Sequence, residues 1–401
     1  MTSPIPNQPT WTEILRQQKL ANVQRWLKLL EQESDLSAFI QTDYDNLLRA
    51  LETSLEKNDS FDLAYKLIIA LNPVVLGYAD WDRWLQYLQK ALDTSALLQR
   101  EQDQAQLSVM LASVYLYKGD LNSARVHFQN GAATFAAIGD QQNYGKSLGK
   151  LSNVYTLQGD LVQSEGLCRE ALAIAQASHD DEAVGLAYLD LSNGYLKSQK
   201  WLEGLQVAVE AYDIFKRINK KKSATMALIN IVSFQAQLGN WVEAEAISAG
   251  LVADLEISGD IQSMSLLQNN LGVAAFNQGN FARAEHVWQD ALGLNSQVQN
   301  PSETANLYNN LGMVYTKLAE WDAAEAMLLA AVKAYQEMGD MFFGANALDN
   351  LAELYEMRGE TAVSQQILQQ AIAQLQSLEQ TPIQQKLLLS LSSRLKTQHN
   401  Q

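Results

Sequence analysis

Glycine followed by an acidic or amide residue recurs at a forty-residue period, and this period constrains the fold of the chain more than any other feature. One series shares a single register: Gly119-Asp120, Gly159-Asp160, Gly239-Asn240, Gly279-Asn280 and Gly359-Glu360. A second series falls midway: Gly139-Asp140, Gly259-Asp260 and Gly339-Asp340. Glycine adopts positive φ at low cost and Asp or Asn caps a following helix, so each pair predicts a turn. The segments between turns, about eighteen residues each, are long enough for one helix. The spacing therefore predicts a solenoid of stacked helix pairs.

The composition is typical of an all-α protein with an acidic surface. The 401 residues include only six prolines, and 47% of them are hydrophobic. The formal net charge of −16 repels phosphate backbones and argues against nucleic-acid binding. The longest basic run is Lys220-Lys221-Lys222. This run is interpreted as a solvated loop between helices or as a contact for an acidic partner.

The cysteine and histidine content gives no indication of a catalytic or metal site. Cys168 is the only cysteine, so no disulfide forms within the chain, which fits a reducing compartment. It is interpreted as buried filler or, alternatively, as a reactive thiol. The histidines match no metal-ligand spacing, and no glycine-rich phosphate loop occurs. We therefore predict a non-enzymatic chain with no metal and no cofactor. The four histidines are His127, His179, His286 and His399.

No segment of the sequence predicts secretion or membrane insertion. The first ten residues lack the basic and apolar regions of a signal peptide. No stretch of eighteen apolar residues without a charge occurs. We therefore expect a cytoplasmic protein that does not bind membranes.

The register divides the chain into segments. Thr10 and Glu13 have the spacing of a capping box, which predicts a helix at the start of an N-terminal element. Pro73 is expected to end or kink its helix. The predicted segments are a disordered stretch at 1–9, the helical element at 10–60, a divergent first repeat at 61–100, seven forty-residue repeats at 101–380, a capping helix at 381–396 and a tail at 397–401.

Residue types repeat in phase with the turns, which supports this division. The first helix of each repeat, here helix A, carries a Leu or Ile column: Leu111, Leu151, Leu191, Ile231, Leu271, Leu311 and Leu351. The residue that follows each is small or β-branched, and small residues recur in the second helix, here helix B. Small side chains let helices approach closely, so a large residue at Gly312 is expected to force them apart at a cost of a few kcal/mol.

These columns resemble the tetratricopeptide repeat, or TPR. The segment Leu311-Gly312-x-x-Tyr315, followed by Trp321, Ala324 and Ala331, is similar to the family order of helix A and helix B residues. The resemblance covers roughly residues 61–380. The family repeat is usually about 34 residues, and the forty-residue form is similar to the repeats of kinesin light chain, LGN, and bacterial Rap-type and MalT-like regulators. The resemblance implies an all-α, right-handed superhelix whose A helices line a concave groove.

An asparagine row occupies one position before the Leu column on four consecutive A helices. It consists of Asn230, Asn270, Asn310 and Asn350. An amide both donates and accepts hydrogen bonds, so such a row suits the backbone of an extended peptide. Proteins of the kinesin light chain and LGN type bind peptides through such a row. The alternative is a solvated residue common at this phase. Further predicted groove amides are Asn269, Asn306, Asn309, Asn346, Asn153 and Asn193.

Other residues on the same predicted wall differ in character. Lys146 and Lys150 lie one helical turn apart and are interpreted as contacts for a ligand carboxylate or as a solvated pair. Apolar residues are interpreted as side-chain pockets or as ordinary packing. These are Leu186, Met226, Leu266 and Phe276.

The sequence thus predicts a scaffold or adaptor that holds an extended segment of another protein. Two alternatives come from resemblance. One is a Rap-type, peptide-responsive regulator that acts on response regulators through its N-terminal bundle. The other is a small-ligand sensor arm of the MalT-like kind. The sequence predicts neither the partner nor the oligomeric state.

Overall fold

The computed structural model describes residues 10–32, 36–75, 80–298, 300–378 and 382–399. These residues form α-helices joined by short turns, with one 3₁₀ turn and no strand. The all-α solenoid fold is confirmed. The stretch predicted to be disordered, 1–9, lies outside the described residues.

The N-terminal element consists of α1 (Trp11–Gln32), α2 (Leu36–Ser54) and a 3₁₀ turn (Asn58–Ser60). The predicted capping box is present, because Thr10 N donates to Glu13 Oε2 at 2.6 Å and Glu13 N donates to Thr10 Oγ1 at 3.3 Å. The divergent repeat forms α3 (Phe61–Val75) and α4 (Trp81–Leu97). Pro73 lies inside α3, which ends two residues later.

Seven helix pairs follow in the predicted register. The A helices are α5 (Glu101–Tyr117), α7 (Gln141–Leu157), α9 (Asp181–Lys197), α11 (Lys221–Gln237), α13 (Ile261–Asn277), α15 (Pro301–Leu318) and α17 (Met341–Met357). The B helices are α6 (Leu121–Ala137), α8 (Leu161–Ala177), α10 (Trp201–Arg217), α12 (Trp241–Ser258), α14 (Phe281–Val298), α16 (Trp321–Met338) and α18 (Thr361–Gln376). The last helix is α19 (Pro382–His399).

Two details differ from the expected boundaries. Helix α19 continues to His399, so 397–399 are helical rather than part of a tail. The basic run is only partly a loop, because α11 begins at Lys221. Lys220 pairs with Glu182 at 2.8 Å, which assigns this lysine an intramolecular partner.

A left-handed backbone conformation recurs every twenty residues at the turns. Where the sequence has glycine, φ is between 67° and 84°. Five turns adopt the same conformation without glycine: Gln99, His179, Gln199, Asn219 and Ala319, with φ between 52° and 60°. The stacked helices therefore impose the turn, and glycine only lowers its cost.

Ala319→Gly is expected to stabilise the chain by about 1 kcal/mol, because the β-carbon is disfavoured at positive φ. Gly239→Ala, at an equivalent turn with φ 84° and open space around the site, should destabilise by a similar amount. Equilibrium urea unfolding of both variants measures this. A loss of stability in Ala319→Gly would contradict the assigned turn.

Aspartate and asparagine cap many of the helices, as the turn pairs predict. Asp120 accepts a hydrogen bond from Ser123 N at 3.0 Å, and Asp260 accepts one from Ser263 N at 3.1 Å. Lys200, Lys220, Glu320 and Glu360 occupy the same position without a side-chain cap. The cap therefore stabilises individual turns, while packing sets where each helix begins.

Close helix approach occurs where the sequence has helical glycine. A β-carbon on Gly272 would lie 2.6 Å from Trp288 Cε2, and one on Gly312 would lie 2.5 Å from Leu328 Cγ. Trp288 and Leu328 are fully buried beside them. The steric interpretation of the small-residue columns is consistent with this packing. Cys168 is buried, as its position in helix B predicts.

Contacts divide the chain into two compact units, Met1–Val154 and Tyr155–Gln401. In the first, a continuous apolar core runs through α1 to α5. In the second, the core follows the helix pairs to α19, where Leu391 is fully buried and Leu387, Leu388 and Leu395 pack beside it. Helix α19 thus covers the apolar face of the last repeat.

Candidate functional site

The asparagine row joins each A helix to the A helix before it. Asn350 Nδ2 donates to Asn309 Oδ1 at 2.9 Å, and Asn310 Nδ2 donates to Asn269 Oδ1 at 3.1 Å. Each bond connects successive repeats, from α17 to α15 and from α15 to α13. We call this arrangement the amide clasp.

The clasp continues toward the earlier repeats with serine as an acceptor. Asn270 Nδ2 donates to Ser233 Oγ at 2.9 Å. Asn230 Nδ2 donates to Ser192 Oγ at 2.9 Å and to Asn193 Oδ1 at 2.8 Å. Asn230 is only 4% exposed, so its donors serve the packing of α11 on α9. Its predicted role as a groove contact is therefore replaced by a structural one.

In the clasp, the amino group of each asparagine in the row donates a hydrogen bond, and within the described part of the chain its carbonyl oxygen accepts none. Among the described residues, no donor bonds to Oδ1 of Asn270, Asn310 or Asn350. All three residues are half-buried, and none of these oxygens is both buried and unpaired. The clasp fixes the orientation of each amide, because rotation of the group would lose the bond. The row therefore presents three fixed acceptors.

Two of the flanking asparagines are committed to packing. Asn269 Oδ1 accepts from Trp288 Nε1 at 3.0 Å as well as from Asn310. Asn309 is only 8% exposed, and its Oδ1 accepts from Asn350. The tryptophan therefore depends on the same amide that holds the clasp. The Oδ1 atoms of both residues are therefore engaged within the chain, and contact of their amino groups with a ligand stays a prediction.

Asn306 belongs to a polar cluster between α15 and α16. Its Oδ1 accepts from the Tyr335 hydroxyl at 2.7 Å. Burial raises the pKa of Tyr335 and also raises the pKa of the nearby Glu303 carboxyl, which Asn306 partly offsets by hydrogen bonding. One oxygen of Glu303, Oε1, is buried without a partner. Burial therefore makes ionisation of Glu303 less favourable in the folded chain than in the unfolded chain.

Glu303→Gln is expected to raise stability at pH 7 by about 1 kcal/mol, because glutamine keeps the size of the side chain and removes a charge whose burial is costly. The folded-state pKa of Glu303 lies above the unfolded value, so the cost appears as pH rises through these values and is absent below both. Urea unfolding at pH 7 and at a pH below the unfolded glutamate value measures the difference. An equal effect at both pH values would contradict this assignment.

The remaining predicted residues fall into two groups. Asn193 is exposed, and Asn346 is half-buried on α17. Asn153, Lys146 and Lys150 are exposed on α7 and belong to the first compact unit. Contact of these residues with a ligand stays a prediction.

The apolar residues predicted to lie on the same wall also fall into two groups, partly exposed residues and a packing residue. Leu186 is 37% exposed, while Met226 and Leu266 are half-buried at the same phase of the next two A helices. Phe276 instead packs against Phe281 and Trp288, with ring centroids 5.4 Å and 6.0 Å apart. Phe276 is therefore a packing residue, and the other three remain beside the row.

The clasp acceptors Ser192 and Ser233 were not among the predicted site residues. Ser233 lies three positions after Asn230 in the sequence. That spacing alone does not predict a clasp acceptor, because the acceptor role depends on how successive A helices pack. The doublets Asn269-Asn270 and Asn309-Asn310 are a stronger sequence signal for hydrogen bonds between repeats. The first member of each doublet accepts from the next repeat, and the second member donates to the repeat before.

The described residues contain no cluster of His, Cys, Asp and Glu with the arrangement of a metal site. Within the same part of the chain, no helix is long and apolar enough to cross a membrane.

Comparison with known proteins identifies the repeat. The tetratricopeptide repeat family matches residues 146–182 and, in a second form, residues 263–337. No curated protein matches the sequence.

Solved structures share the fold at low sequence identity. An ATPase of the STAND class with a tetratricopeptide repeat sensor from Pyrococcus horikoshii is 13% identical, with a TM-score of 0.54 over 88% of this chain. This chain spans about half of that protein, 52% of its length. NprR in complex with its cognate peptide NprX is 15% identical, with a TM-score of 0.52 over 79% of this chain and 98% of NprR. Aspartyl phosphate phosphatase F from Bacillus subtilis is 12% identical, with a TM-score of 0.51 over 93% and 96%. At these identities the similarity concerns the fold alone.

Proposed function

We propose that this chain, in which two segments match the tetratricopeptide repeat family, is a non-enzymatic cytoplasmic scaffold that binds an extended segment of another protein. The proposal is supported chiefly by the three amide oxygens of Asn270, Asn310 and Asn350. They recur on consecutive A helices with their amino groups already bonded within the chain. Fixed acceptors suit the N–H groups of an extended backbone and demand no particular side chain.

The apolar residues beside the row would supply side-chain contacts. Leu266 lies one turn before Asn270 on α13, and Leu186 and Met226 hold the same phase on α9 and α11, the two A helices that precede the acceptors. In an extended strand, alternate side chains point the same way, so one set could contact these residues while the backbone contacts the amides. We therefore propose a ligand whose backbone contacts the amides of α13 to α17 and whose apolar side chains contact α9 to α13.

The proposal is tested with peptides selected from a random library displayed on phage. Asn270→Ala removes the carbonyl acceptor and the clasp donor together. Ser233→Ala removes the clasp acceptor, together with the hydrogen bond that Ser233 Oγ donates to the Ile229 carbonyl within α11, and keeps the Asn270 amide, so it is the matched control. We expect Asn270→Ala to weaken binding by about tenfold, with a second loss in the Asn270→Ala/Asn310→Ala variant, while Ser233→Ala has a smaller effect.

Fluorescence anisotropy of the labelled peptide gives the dissociation constants, and circular dichroism reports helicity. Unchanged binding by the folded double variant rejects the groove. Equal losses in Asn270→Ala and Ser233→Ala would mean that the clasp matters rather than the acceptor.

A regulator of the Rap type is the second candidate. NprR is a neighbour whose structure holds its cognate peptide, and the match to aspartyl phosphate phosphatase F extends over 93% of this chain. Trp11 is 85% exposed and Leu15 is 56% exposed on α1, which gives that element an available apolar surface. Faster dephosphorylation of a phospho-aspartyl response regulator in the presence of the protein would favour this candidate, and an unchanged rate would argue against it.

A small-ligand sensor is the third candidate. The pocket beside Cys168 and Tyr195 has a volume of about 10 Å³, which holds one water molecule at most and is too small for a sugar or a nucleotide. A thermal-shift screen against sugars and nucleotides tests this candidate, and a stabilising compound that leaves peptide binding unchanged would support it.

A further inference from the structure

Helix α12 is apolar on two opposite faces. One face is buried in the repeat and consists of Ala244, Ser248, Leu251 and Leu255. The other is exposed to solvent, with Val242 at 78% and Ile257 at 87% exposure. We call this exposed set the outer stripe, and it consists of Val242, Ala246, Ala249, Ala253 and Ile257. The solvent side of a surface helix normally carries charged or polar residues, so an apolar outer face is unusual.

The other B helices do not share the outer stripe. At the same five positions each of them has at least one residue with a charged, amide or imidazole side chain. Examples are Gln129 in α6, Arg169 in α8, Asp213 in α10, His286 in α14, Lys333 in α16 and Gln369 in α18. The apolar surface is therefore a property of α12 and not of the repeat.

Both edges of the outer stripe are acidic. At 100° per residue, Glu243 and Asp254 lie along one edge, and Glu245 and Glu256 lie along the other. Helix α12 contains no Lys or Arg. Glu245 pairs with Arg283, and the ion pairs among the described residues include none for Glu243, Asp254 or Glu256. An apolar surface between two acidic edges is the complement of a helix with an apolar stripe between two basic edges.

We propose that the outer stripe of α12 binds a basic amphipathic helix of a partner protein. A second copy of this chain fits poorly, because it would bring the carboxylates of Glu243, Asp254 and Glu256 against the same three carboxylates of the other copy. The stripe extends about 22 Å at 1.5 Å per residue, so the interface is small. Alanine at the centre lets a partner helix approach closely, and Val242 and Ile257 contact its ends. A contact of this size is transient, with a dissociation constant on the order of micromolar.

The probe is a synthetic helical peptide with leucines on one face and lysines along both edges. A peptide of identical composition, with the leucines distributed around the helix, controls for attraction by the net charge of the protein. Ala246→Lys places a charge in the stripe. Ala326→Lys is the matched control, since Ala326 is exposed at the same repeat position of α16. Fluorescence anisotropy with the full chain gives the affinities.

We expect the amphipathic peptide to bind more tightly than the rearranged one. Ala246→Lys should weaken its binding by about tenfold, while Ala326→Lys changes it by less than about twofold. The Asn270→Ala/Asn310→Ala variant should bind it normally, which separates this surface from the groove. Equal affinity for both peptides, or equal effects of both lysine substitutions, would overturn the proposal. Sedimentation that shows dimers of the chain, abolished by Ala246→Lys, would also overturn it and assign the stripe to self-association.

Discussion

Gly272→Ala is expected to destabilise the chain by about 2 kcal/mol, although alanine normally favours a helix over glycine by about 1 kcal/mol. The new methyl group would overlap the indole of Trp288, which is 1% exposed. The ring cannot move freely, because Trp288 Nε1 donates to the backbone oxygen of Asn269 at 3.2 Å and to its Oδ1 at 3.0 Å. Displacement of the indole would therefore also disturb the clasp between Asn310 and Asn269.

Gly250→Ala is the matched control for this prediction. Gly250 is exposed in the middle of α12, and an added β-carbon there meets nothing within 4 Å. This variant should be stabilised by about 1 kcal/mol. Urea unfolding followed by circular dichroism and by tryptophan fluorescence compares the two. A stable Gly272→Ala variant with unchanged fluorescence would contradict the close approach of α13 and α14.

Arg394→Ala is expected to destabilise the C-terminal repeat by about 2–3 kcal/mol at neutral pH. Arg394 on α19 pairs with Asp349, and with Glu356 at 2.7 Å, both on α17. Burial raises the pKa of Asp349, and Arg394 opposes that shift. Removal of the guanidinium leaves a half-buried carboxylate without its cation. The estimate is below that for a fully buried pair, because the arginine side chain is 27% exposed.

The pH dependence of this effect follows from the raised pKa of Asp349. A carboxyl whose folded-state pKa exceeds the unfolded value is destabilising when ionised, so the cost of the charge grows as pH rises. The Arg394→Ala effect should therefore shrink in acid, where Asp349 is protonated. The Arg394→Ala/Asp349→Asn variant should recover much of the lost stability at pH 7. Failure of Asp349→Asn to rescue the variant would assign the loss to the packing of α19 instead.

The helix boundaries were predictable from the sequence because the turn residues repeat. In the pair Gly159-Asp160, the glycine predicts the positive φ of the turn and the aspartate predicts the cap of the next helix. Gln199 carried no such signal, yet it adopts φ 58° because the packed helices on either side require the turn. The forty-residue period therefore predicted turns at positions where the local residues, such as Gln199, did not.

The functional assignment of the amides was only partly predictable. The phase of Asn310 placed it in one row with Asn270 and Asn350 on successive A helices, and that inference needed only the forty-residue period. The partner of its amino group, Asn269, lies one repeat earlier and becomes visible only when the A helices are packed. The sequence thus located the row. It did not show that the amino group of each amide bonds within the chain while the carbonyl oxygen is left without a donor from the residues that the structure describes. For Asn230 the same limitation concealed its burial.

Backbone N-methylation of a phage-selected peptide, measured against the wild type and Asn310→Ala, tests the central claim most directly. If Asn310 Oδ1 accepts a peptide N–H, methylation at one position should weaken binding by about threefold to tenfold. The same methylation should have little further effect on Asn310→Ala, because both changes remove one hydrogen bond. Losses that add fully, or the absence of any sensitive position along the peptide, would contradict an amide row that binds a peptide backbone.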